Sequence, residues 1–127
     1  MSVHIHAVVI DCADPQGLAR FWAAATGHAL HSDFDDWASV LGEGERLIRI
    51  GFQKVPEGKV VKNRVHVDLG ASDIEAEAAR IEALGATRRW VSDDPEDPFI
   101  VLADPEDNEF CVVRIDATTD EETAAGA

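Results

Sequence analysis

The segment Asn63 to Ala86, NRVHVDLGASDIEAEAARIEALGA, decides the fold of this 127-residue chain. Val65, Val67 and Leu69 alternate with Arg64, His66 and Asp68, so a strand here has one apolar and one polar face. Ser72 followed by Glu75 has the spacing of a capping box and predicts a helix start. Ile74, Ala78 and Ile81 recur at helical spacing, and Gly85 stands where a left-handed residue ends a helix. The order is strand, cap, helix, stop. The polar face of the strand carries His66, and that face meets either solvent or a ligand.

The same order occurs upstream. Val3 to Asp11 (VHIHAVVID) is strand-like, with Val3, Ile5, Ala7 and Val9 on one face and His4 and His6 opening the other. Asp14-Pro15 predicts a helix start with Asp14 as N-cap. Leu18, Phe21, Trp22 and Ala25 form its apolar stripe, and Gly27 stops it. Strands follow at His28–Ser32, Trp37–Leu41 and Leu47–Lys54. The last has Ile48, Ile50 and Phe52 on one face and Arg49, Gly51 and Gln53 on the other. Downstream of the central segment, strands are predicted at Thr87–Val91, Phe99–Ala103 and Glu109–Ile115, with a tight acidic turn at Asp104–Asn108. The chain is therefore an α+β domain over residues 1–115, built from two β-α-β-β-β modules at about 3–56 and 63–115. His6 and His66 fall at matching places in the two modules. Each helix must bury its stripe on its own strands, which leaves the opposite faces free to curl into a cupped, partly open mixed barrel. Residues 116–127 are acidic and lack apolar periodicity, which predicts a frayed tail.

Eleven Lys and Arg stand against 25 Asp and Glu, a net charge of −14. That sign opposes binding to nucleic acid or to anionic membranes. No apolar run is long enough to span a bilayer, and the first residues lack the pattern of a signal peptide. Cys12 and Cys111 are too few for a disulfide framework, so a reduced, cytoplasmic setting is expected.

Three stretches, VVIDCADPQGLARFWAAATG (Val8 to Gly27), NRVHVDLGASDIEAEAARIEALGAT (Asn63 to Thr87) and VLADPEDNEFCVV (Val101 to Val113), together resemble the vicinal-oxygen-chelate superfamily. That superfamily holds glyoxalase I, extradiol dioxygenases, fosfomycin-modifying enzymes and bleomycin-resistance proteins. The likeness covers about residues 3 to 115 and is greatest to the glyoxalase-like branch. It implies paired βαβββ modules, a homodimer and a cup for a small organic molecule. Where such proteins hold a metal, one ligand comes from each of four strands. Carried over by position, these places fall on His6, near Gln53, on His66 and, seven residues after Asp104, on Cys111 where the family has Glu. A divalent ion such as Zn, Ni, Mn or Fe is then the implied cofactor, and Glu109, on the same face as Cys111, is the candidate general base.

Arg49, Arg64 and Asp68 share the polar parity of the histidines. They read either as a cross-strand ion pair or as a fork for a substrate carboxylate or phosphate. Trp37 and Trp90, at strand ends, read as rim packing or as covers over a planar ligand. Two functions remain open: a metal-free or atypically metallated protein that binds a small molecule, including a sequestering resistance protein, and a metal-dependent lyase, isomerase or dioxygenase using His6 and His66.

Overall fold

The structure, a computed structural model, describes residues 2–115; the frayed tail expected at 116–127 lies outside the described residues. The chain divides between Val60 and Val61 into two compact units. The first unit contains β1 (Val8–Cys12), α1 (Pro15–Thr26), β2 (Ala29–Asp33), β3 (Trp37–Leu41), a 3-10 turn (Gly44–Arg46) and β4 (Arg49–Lys54). The second contains β5 (Val67–Ala71), α2 (Ile74–Ala83), β6 (Thr87–Val91), β7 (Phe99–Ala103) and β8 (Glu109–Arg114). The sheets have the orders β1-β4-β3-β2 and β5-β8-β7-β6. In each, the first strand runs parallel to the last and the remaining pairs are antiparallel. The two units thus share one topology, as the duplication predicts.

Local chemistry sets the elements. Asp14 caps α1 by accepting from the Gly17 N–H at 3.1 Å, Pro15 opens the helix, and Gly27 closes it in the left-handed region at φ 79°. The stripe Leu18, Phe21, Trp22 and Ala25 is buried to 6 % exposure or less. The predicted capping box at Ser72 is displaced by one residue. Asp73 is the N-cap of α2 and accepts from the Ala76 N–H at 3.1 Å, because a carboxylate there reaches the same free N–H groups that the serine hydroxyl would. Arg88 on β6 ties the sheet edge to α2, with Nη2 2.8 Å from Glu82 Oε1 and Nη1 2.9 Å from Glu75 Oε1. Both edge strands carry a register shift at the same place, between Leu30 and Ser32 in β2 and between Arg88 and Trp90 in β6. Such shifts bend an edge away from unwanted pairing.

The first strand of each unit is shorter than its sequence pattern suggests. β1 starts at Val8 because Ile50 on β4 is the first residue that pairs with it; Val3 and Ile5 are exposed. His6 therefore precedes β1 instead of lying in it, and His66 likewise immediately precedes β5. The register also corrects the matching of the two histidines. Val8 opposite Ile50 corresponds to Val67 opposite Phe110, and the N-caps Asp14 and Asp73 keep the same offset. By that offset His66 corresponds to Ala7, and a one-residue slip changes the face a side chain takes.

The core of the second unit combines Ala78 and Ile81 of α2 with Ile100, Leu102, Phe110 and Val112, all 2 % exposed or less. Phe110→Ala is expected to destabilise the fold by about 3–5 kcal/mol. Val65→Ala, at a 75 % exposed position, should change stability by less than about 0.5 kcal/mol. Urea unfolding followed by circular dichroism measures both.

Candidate functional site

In the second unit the even-numbered residues of β7 and β8 supply the core, so the odd-numbered ones project from the other side of the sheet. Parallel pairing sets Asp68 of β5 directly opposite Cys111 of β8, and antiparallel pairing sets Cys111 opposite Val101 and Val101 opposite Trp90. One row thus crosses the sheet from a carboxylate through a thiol to an apolar residue and an indole. Trp90 is half exposed and its ring lies 5.3 Å from that of Phe99.

His66 stands two residues ahead of Asp68 and shares its parity. Donor atoms of His66, Asp68 and Cys111 all lie within 4.8 Å of one another. His66 Nε2 is 3.2 Å from Asp68 Oδ1. That approach is within ion-pair reach but out of line for a hydrogen bond, and Oδ1 is buried with no hydrogen-bond partner. Cys111 is 8 % exposed. Burial pushes its thiol up to about 11, and the Asp68 charge and a hydrogen bond to the Asp68 carboxylate push the same way. Each effect disfavours the thiolate. Without a cation, the cluster holds a neutral thiol beside a carboxylate whose Oδ1 is buried with no hydrogen-bond partner.

A divalent cation resolves both features. An imidazole nitrogen, a carboxylate oxygen and a thiolate are established zinc donors, and around a tetrahedral ion such donors stand roughly 3.3–3.8 Å apart. The cluster is within a small side-chain adjustment of that spacing. The ion's charge would satisfy Asp68 Oδ1 and hold Cys111 as the thiolate. The residues present fit a metal.

Glu109 lies on the face of Cys111, and its Oε2 accepts from the Asn63 N–H at 3.2 Å. Asn63 Oδ1 accepts in return from the Glu109 N–H at 3.3 Å, and Asn63 Nδ2 donates to Asn108 Oδ1 at 3.4 Å. Glu109 thereby fastens the segment that delivers His66. Asn108 is itself set by Asp104, whose Oδ1 accepts from the N–H groups of Glu106 and Asn108 at 2.9 and 3.0 Å.

The other expected residues are placed as follows. Arg64 is exposed, and neither it nor Arg49 forms an ion pair with a described residue, so the cross-strand bridge to Asp68 is replaced by the approach of His66. In the first unit, Trp37, Arg49 and Gln53 share one face of β3 and β4. His6 is exposed, with its ring 6.4 Å from that of His4. The same unit has a cavity of about 420 Å³ beside Gly27, His28, Leu30, Leu41, Glu43 and Arg46; it includes none of the expected site residues. The sequence reading places Asp68 with the substrate-contacting residues, and the structure adds its approach to His66 and Cys111. The usable signal was its spacing of two from His66 on an alternating strand.

The comparisons agree with this architecture. The family model described as "Glyoxalase-like domain" matches residues 7–113. The chain belongs to that family. No curated protein matches. Among solved structures, a glyoxalase/bleomycin resistance protein/dioxygenase family enzyme from Burkholderia phytofirmans PsJN is 16 % identical, with a TM-score of 0.70 over 86 % of this chain and 96 % of that one. The fosfomycin resistance protein FosX from Mesorhizobium loti is 15 % identical, with a TM-score of 0.70 over 93 % and 97 %. A FosX variant from Listeria monocytogenes, in complex with Mn(II) and 1S,2S-dihydroxypropylphosphonic acid, is 14 % identical, with a TM-score of 0.71 over 89 % and 90 %. At these identities the likeness is one of fold. No helix among the described residues is long and apolar enough to cross a membrane.

The raised thiol gives a direct prediction. In metal-free protein on a Cys12→Ser background, alkylation of Cys111 by iodoacetamide should be slow near neutral pH and rise toward an inflection near pH 11. Asp68→Asn removes the repelling charge and should move that inflection down. An inflection unchanged by Asp68→Asn contradicts the contribution assigned to Asp68, beside that of burial.

Proposed function

We propose that this protein binds a small organic molecule at a divalent-metal centre formed by His66, Asp68 and Cys111. The observation that carries the reading is the convergence of three unlike donors around the unpartnered, buried Asp68 Oδ1. The row continuing through Val101 to Trp90 offers an apolar shelf beside the donors, so a ligand with a polar head and a flat apolar body suits the face. The metal, when bound, would act as a Lewis acid on ligand oxygens. Glu109 stands on the same face as the candidate proton acceptor, while its bond to Asn63 holds the site's entry strand. His6, Gln53, Arg49, Arg64 and Trp37 remain candidate ligand-contacting or metal-binding residues on the strength of the sequence resemblance. That resemblance also supports a homodimer, and two cysteines, too few for a disulfide framework, suit a cytoplasmic setting.

A second reading is metal-free sequestration of a toxin or antibiotic. It is favoured by the replacement of the family's eighth-strand Glu by Cys111, whose thiol the surroundings keep protonated. Elemental analysis separates the two. Untagged protein dialysed against Zn, Mn, Ni or Fe(II) should retain about one ion per chain. His66→Ala, Asp68→Asn and Cys111→Ser should each lower retention at least tenfold, as expected when one of only three protein donors is removed. No retained ion in the wild type with any of the four metals leaves sequestration as the reading.

A further inference from the structure

We propose an oxyanion site on the first unit, made by Arg49 and Ser39 and closed by the Trp37 indole. Ser39 is fully buried, and its Oγ has no hydrogen-bond partner. Buried hydroxyls are almost always satisfied, and leaving one unpaired carries a penalty of about 1–3 kcal/mol. The β3–β4 ladder places this hydroxyl opposite Gly51, with Trp37 opposite Gln53 and Leu41 opposite Arg49, all on one face. Gly51 has no side chain, and the Trp37 ring fills the space directly above it; even a methyl group there would overlap the ring. The indole thus lies over the residue that faces Ser39.

Three features make this a site closed by a movable ring. First, no described residue accepts from the indole N–H, so packing alone holds the Trp37 ring. Second, Arg49 is a diagonal neighbour of Ser39 across the ladder, roughly 7–8 Å away at the backbone, within reach of a guanidinium. No described carboxylate pairs with it. Third, the shared register matches positions on this face to positions on the second unit's sheet. Gly51 occupies the register place of Cys111, and Val9, opposite Gly51, that of Asp68. The metal donors of the second unit are absent here and hydrogen-bond donors stand nearby instead. A guanidinium fork with a hydroxyl recognises a carboxylate or a phosphate-type group. With the ring swung off Gly51, such a group reaches Ser39 Oγ and Arg49 together.

The test uses the full chain and tryptophan emission at constant ionic strength, with inorganic phosphate and acetate as probes. A Trp37→Phe variant identifies the Trp37 share of the signal. At net charge −14, unspecific anion uptake is opposed, so a saturable change reports a built site. We expect saturation with at least one probe, the tighter of the two naming the group. Arg49→Gln should weaken it roughly tenfold or more, and Arg49→Lys, which keeps the charge and loses the fork, by less. Ser39→Ala should weaken binding while raising the melting temperature, because the unpaired hydroxyl is gone. Absence of saturation with both probes overturns the proposal. So does a Ser39→Ala variant that melts higher yet binds unchanged, or an Arg49→Gln variant, folded by circular dichroism, with unchanged binding.

Discussion

The parallel pairing of β5 with β8, in the register that sets Asp68 against Cys111, is the constraint from which the candidate centre follows. A slip of one residue would turn either side chain to the opposite face of the sheet and dissolve the cluster. Several unlike interactions hold this register. Phe110 and Val112 are anchored in the core on one side of β8. Asp104 and Asn108 fix the turn that starts the strand, and the paired bonds between Asn63 and Glu109 fasten the approach to His66. The polar residues around the centre thus divide between those that could bind and those that hold the binders in place.

Duplication supplied two copies of one scaffold, and the open faces have since diverged in chemistry. In the second unit the row is carboxylate, thiol, valine, indole. In the first, the corresponding strands carry valine, glycine and serine, with a tryptophan ring laid over the glycine. The core-facing places of the strands stay apolar in both units: Ala38, Val40, Ile50 and Phe52 in the first correspond to Ile100, Leu102, Phe110 and Val112 in the second. Shared core and unlike open faces are what a fold retains and a function alters, because core changes act on stability wherever they occur.

Much of the architecture was legible because periodicity and caps are local signals. Asp14-Pro15, Gly27 and the stripe from Leu18 to Ala25 defined α1 closely, and Trp37–Leu41, Thr87–Val91 and Phe99–Ala103 appear with the predicted ends. What was not legible depended on pairing. The strand pattern at Val3–Asp11 continues upstream of Val8, but no partner strand meets it there. Ser72 and Asp73 are both good caps, and only the backbone path chooses between them. His6 and His66 looked equivalent by rough position, yet the ladders offset them by one residue. The parity of Asp68 left its partner open between an arginine and a ligand, and its approach to His66, two residues away, emerges only when β8 is set beside β5.

Cobalt spectroscopy puts the central assignment to its most direct test. Co(II) added to the intact, untagged chain should produce an intense near-ultraviolet thiolate-to-metal charge-transfer band at one equivalent, together with visible bands of a low-coordinate ion. Cys111→Ser should abolish the near-ultraviolet band, and His66→Ala should reduce affinity in the same titration. A cobalt complex without the thiolate band, or a band that persists in Cys111→Ser, contradicts the assignment of His66, Asp68 and Cys111 as one metal-binding set.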